Sequence, residues 1–114
     1  MPGSSLAPPP TPDACELCGR RGTFLTRHHL IPRTLHGKKR FRRRYSREEM
    51  VASILWLCRP CHSHIHRLFS ERELAEHYAS RDALLSHPDV RTFVDWLSAK
   101  PAGFKPKSRH SRRR

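Results

Sequence analysis

Two pairs of cysteines, Cys15 with Cys18 and Cys58 with Cys61, each have the two-residue gap that places two sulfurs on one tight turn. The pairs are separated by 39 residues. Four thiolates brought together in this way make the tetrahedral sulfur set that zinc prefers. Such a site is closed to substrate, so the zinc expected at Cys15, Cys18, Cys58 and Cys61 is structural, and folding should depend on it. Two redox pairs are the competing reading.

The second chemical signal is histidine, of which the chain has nine. His62 and His66 are four apart in a segment that reads as helix, so both project from one face and can chelate one metal. His28 and His29 are adjacent in a segment that reads as strand, so they point to opposite faces unless the strand is bulged. Zinc at Cys61 would hold the start of the His62 helix beside the hairpin that carries His28 and His29. His64 should face away from its two neighbours. His36 lies among basic residues and suits a phosphate better than a metal. His77, His87 and His110 have no motif around them.

The net charge is +13 with histidines neutral. It is concentrated: residues 33–47 hold eight Lys or Arg, and residues 105–114 hold six. Clustered arginines are a footprint for a polyanion, and nucleic acid is the first candidate. Arg33, Lys38, Lys39, Arg40, Arg42, Arg43 and Arg44 are the expected phosphate contacts. The run lacks the apolar face of a membrane-surface helix, and no apolar stretch is long enough to span a bilayer. With no signal-peptide pattern either, the expected location is the cytoplasm, where cysteines serve metals more often than disulfides.

These residues must be positioned by a small domain. Residues 1–12 carry five prolines and residues 101–114 form a basic tail, so both are expected to be disordered, leaving residues 13–100 as the domain. Within it, residues 23–31 read as a first strand, 33–45 as a basic loop and 54–57 as a second strand. Ser46 to Glu49 and Ser70 to Glu73 have the spacing of capping boxes. Pro60 opens the helix of His62 and His66. Pro88 opens another, in which Val90, Phe93, Val94 and Leu97 form a buried stripe.

The cysteine pairs, His28-His29-Leu30-Ile31-Pro32 and Leu57-Cys58-Arg59-Pro60-Cys61-His62 with His66, taken in this order, resemble the HNH endonuclease superfamily in its zinc-finger-supported branch. The likeness covers about half the chain. It implies an α+β fold, a small treble-clef-like ββα-metal core with structural zinc and added C-terminal helices. It also implies a metal-dependent endonuclease that hydrolyses DNA phosphodiester bonds, with double-stranded DNA as partner and 5′-phosphate and 3′-hydroxyl products. His29 then stands as general base, and His28, His62 and His66 as ligands of one catalytic divalent cation. Three imidazoles suit zinc, nickel, manganese or iron better than magnesium. One position departs from the family pattern. Its usual Asn, nine residues before the helix histidine, is Ser53 here, and the chain has no Asn at all. Ser53 still offers a hydroxyl for a backbone carbonyl, and so a place in the catalytic set. The alternatives are a non-catalytic zinc-binding module for nucleic acid, and an adaptor that docks a protein partner through Trp96.

Overall fold

Gly19 and Gly22 adopt positive φ angles of 80° and 76°. These are left-handed conformations that favour glycine, and they turn the chain after Cys18 and again before the first strand. An isolated bridge between Ala14 and Arg21 closes the Cys15–Cys18 turn. The computed structural model describes residues 9–107. The disorder expected for residues 1–8 and 108–114 therefore falls outside the described residues.

Strand β1 (Leu25–His29) pairs antiparallel with β2 (Ile54–Cys58), with Leu25 opposite Cys58 and His29 opposite Ile54. Helix α3 (Arg59–Leu68) follows β2 without a loop, with Cys58 as its N-cap and Pro60 in its first turn, where a missing N–H costs no bond. The unit is therefore two strands and a helix, packed so that α3 lies on the sheet. Leu57 and Ile65 are buried between the two elements, together with all four cysteines.

The remaining helices surround this unit. They are α1 (Lys39–Arg44), α2 (Arg47–Ala52), α4 (Glu71–His77), α5 (Arg81–Ser86) and α6 (Pro88–Ser98). Both expected capping boxes form: Ser46 with Glu49 begins α2, and Ser70 with Glu73 begins α4. In α6, Val90, Val94 and Leu97 are buried, and Phe93 packs partly against them. With one two-stranded antiparallel sheet and six α-helices among the described residues, the class is the expected α+β.

The segment read as a basic loop is largely helical. A 3-10 turn spans Arg33–Leu35, and α1 follows it. Phe41 is the cause: its ring is buried with Ile31, Leu35, Met50 and Ala75 in a second small core. Burying that ring turns the flanking basic residues outward on a helix. No helix among the described residues is long and apolar enough to cross a membrane.

Candidate metal centres and the basic groove

The first knuckle and the β2–α3 junction bring the four cysteines together. Their sulfurs lie within 4.8 Å of one another, all four residues are buried, and none forms a disulfide. The thiols compete for protons. Hydrogen bonds from Cys18, Cys58 and Cys61 hold the Cys15 thiol far below its ordinary pKa. The same sharing with Cys15, Cys18 and Cys58 pushes Cys61 far above it. Four buried sulfurs cannot all ionise beside one another unless a cation compensates them, so this donor set fits a metal such as zinc. Arg20 supplies one positive charge nearby. It is only 6% exposed, its guanidinium donates to Cys58 Sγ at 3.6 Å, and it also donates to the carbonyls of Pro101 and Phe104 at 2.7 and 3.4 Å. Residues 101–107, grouped with the tail in sequence, thus begin by running against the cysteine cluster.

The second cluster forms on the α3 side of β1. His28, His62 and His66 each offer a ring nitrogen within 4.8 Å of the others. Strand alternation turns His28 inward, where it is fully buried. Neither of its ring nitrogens has a hydrogen-bond partner. An unpartnered buried nitrogen ordinarily costs about 1–3 kcal/mol, and a metal ion is one occupant that the three ring nitrogens could hold. Burial, followed by the charges of His62, His66 and His29, lowers the His28 pKa to about 3 and keeps the ring neutral. Burial and the charges of His66 and His29 lower His62 to about 4. Neutral imidazoles are the metal-binding form. His66 is exposed, so the cluster reaches solvent on one side.

Thr26 was not singled out from the sequence. It lies two residues before His28 on the same strand face. Its hydroxyl donates its one proton to Leu57 O at 2.9 Å and meets His62 Nδ1 at 2.7 Å. His62 Nδ1 must then carry the proton of that contact, which leaves Nε2 as the free nitrogen. The alternation that puts Thr26 and His28 on one face was the available signal.

His29 points the other way, into a groove of about 830 Å³ whose lining includes Arg27, Arg33, His36, Arg42 and Arg47. Burial, then Arg33, His36 and Arg27, holds the His29 pKa below the usual histidine value of 6.5. His36 donates from Nε2 to Ile31 O at 2.7 Å, and its ring centre lies 6.5 Å from that of His29. Of the basic residues expected to meet phosphate, Arg33 and Arg42 line this groove. Lys38, Lys39, Arg43 and Arg44 do not, and Arg40 pairs with Glu76 at 2.9 Å. Arg27 was missed. It sits at i−2 from His29 on β1, so it shares that residue's face.

Ser53 ends α2. Its hydroxyl donates to Glu49 O at 2.6 Å, and its own carbonyl accepts from Leu30 N at 2.9 Å. It therefore ties α2 to the residue that follows His29. His64 faces away from the cluster and stacks on Phe93 at 4.0 Å.

No protein-family model matches the chain, and no solved structure matches it. It is similar to the uncharacterized protein YisB of Bacillus subtilis (strain 168), at 36% identity over 87 residues. Those residues span 76% of this chain and 75% of that protein.

Proposed function

We propose that this chain, which belongs to the family of the uncharacterized Bacillus subtilis protein YisB, is a metal-dependent endonuclease that hydrolyses DNA phosphodiester bonds. The observation that carries the reading is the pairing of two features across β1. A three-imidazole cluster with an unpartnered buried histidine lies on one face, and a histidine in an arginine-lined groove lies on the other. The two are joined through the adjacent residues His28 and His29 of one strand. The likeness of the residue pattern to HNH endonucleases supports this reading.

In this reading Cys15, Cys18, Cys58 and Cys61 hold a structural zinc, and His28, His62 and His66 hold a catalytic divalent cation. That cation would supply charge compensation at the phosphoryl oxygen and the leaving 3′-oxygen. The protein's own residues do the rest. Arg33 and Arg42 hold phosphates flanking the scissile one, which positions the strand without reading its sequence. Neutral His29 accepts a proton from the attacking water as the water oxygen bonds to phosphorus. The bond from phosphorus to the 3′-oxygen breaks, and the 3′-oxygen takes a proton from solvent. Thr26 keeps the His62 ring in the tautomer that presents Nε2 to the cluster.

Plasmid nicking by the purified zinc-loaded protein, with Mn²⁺, Ni²⁺, Zn²⁺ or Mg²⁺ added in turn, tests the proposal. Nicking that a mild chelator abolishes, while the protein stays folded, is the expected result. No nicking with any of these metals refutes it.

The acid side of the activity profile follows from His29. The base works only when neutral, and its pKa lies below 6.5. Activity should therefore be complete at neutral pH and fall only as pH drops through a value under 6.5. An acid limb centred above the ordinary histidine range would show that another group is titrating.

Salt dependence separates the basic residues. Arg33→Ala with Arg42→Ala should flatten the dependence of DNA affinity on salt by roughly two phosphate contacts. Arg43→Ala with Arg44→Ala should change it less. Equal slopes for the two double variants would remove the groove from the interface.

One observation favours a second reading, a zinc-binding module that binds nucleic acid without cutting it. The Ser53 hydroxyl is engaged by Glu49 O at the end of its own helix, and so is not free to organise the strand connection as the family's Asn does. Under that reading DNA binding survives and nicking is absent.

A further inference from the structure

Helix α3 carries two stripes side by side. His62 and His66 form one. Arg59, Ser63 and Arg67, four residues apart in turn, form the other, and all three line a second groove of about 460 Å³. Phe24, at the approach to β1, lines it too, as do Lys105 and Lys107. None of the residues that line it is acidic. Phe24 is 69% exposed, one of two large apolar side chains left so among the described residues. Its ring is not covered by the core; the Arg59 guanidinium lies over it, 5.2 Å from the ring centre. Burial does not account for an aromatic ring held at the edge of a cationic groove.

We infer that this groove binds an unpaired nucleic-acid strand, with a base stacked on Phe24 and the backbone phosphates along Arg59, Arg67, Lys105 and Lys107. An exposed aromatic ring among cations is the combination that holds single strands irrespective of sequence, because every base has a face to stack and every link has a charge. The stripe runs beside the histidine stripe on one helix. A strand lying in this groove would run along the same helix as the His62 and His66 stripe. The substrate favoured is DNA with an unpaired segment next to the cut. This inference rests on the nucleic-acid reading above, but not on cutting.

The test is binding of a labelled oligothymidylate of about twelve residues, and of a hairpin duplex of the same charge, to the zinc-loaded full chain. Phe24→Ala should weaken single-strand binding about ten-fold or more, the loss of one base stack, and leave duplex binding nearly unchanged. Phe24→Trp should restore it. Arg59→Ala with Arg67→Ala should weaken single-strand binding and flatten its salt dependence. A wild-type chain that does not bind the oligothymidylate overturns the inference. So does a Phe24→Ala chain that binds it as wild type does. Phe24-dependent binding by a protein that nicks nothing would uphold this inference and end the nuclease proposal, so the two fail separately.

Discussion

Cys58→Ser should leave the chain without zinc at the cysteine cluster and without a cooperative fold. The only sheet among the described residues has two strands, and an isolated hairpin is marginal in water. The cysteine cluster joins the N-terminal turn to the start of α3, and Cys58 is both a sulfur donor and the N-cap of that helix. Structural zinc contributes on the order of 10–16 kcal/mol in small domains, against a typical net stability of about 5–15 kcal/mol. Losing most of that term exceeds what the core can supply. Metal analysis together with far-ultraviolet circular dichroism and a thermal melt checks this. A Cys58→Ser chain that carries no zinc and yet melts at the wild-type temperature would show that the cysteines only pack.

His29→Ala should slow nicking by roughly 10²–10⁴-fold, the usual contribution of a positioned general base. It should leave metal content and the thermal melt unchanged, because His29 belongs to neither metal cluster. His28→Ala is the contrasting variant. It should lose both nicking and the second metal, since His28 is the buried member of that cluster. If His29→Ala nicks at the wild-type rate with every metal tried, the base assignment fails. The metal assignment would survive that result.

The features written in local spacing are legible in the amino-acid sequence itself. Two cysteine turns, two capping boxes, a proline-opened helix and the i, i+3, i+4, i+7 stripe of α6 each depend on residues within one turn or a few. The convergence of His28 with His62 and His66 is legible too, because Cys58 and Cys61 tie the start of α3 to the turn that precedes β1. What escapes a sequence reading depends on contacts distant along the chain. Phe41 is one apolar residue among six basic neighbours, and only its burial against Met50 and Ala75 makes its segment helical. Thr26 carries no motif, and its role emerges once Leu57 and His62 lie opposite it. Arg20 reads as a surface charge until Pro101 and Phe104 return to it.

During synthesis the Arg20 guanidinium emerges long before its partners. Cys58 follows 38 residues later, and the carbonyls of Pro101 and Phe104 follow after 81 and 84. Each of these closures must await chain that has not yet left the ribosome, and long loops close at greater entropic cost. A nascent chain that has exposed Cys15 and Cys18 therefore holds half a metal site. Only with residues 101–104 do the last two acceptors of Arg20 arrive, so the order of translation makes closure over the knuckle a late event.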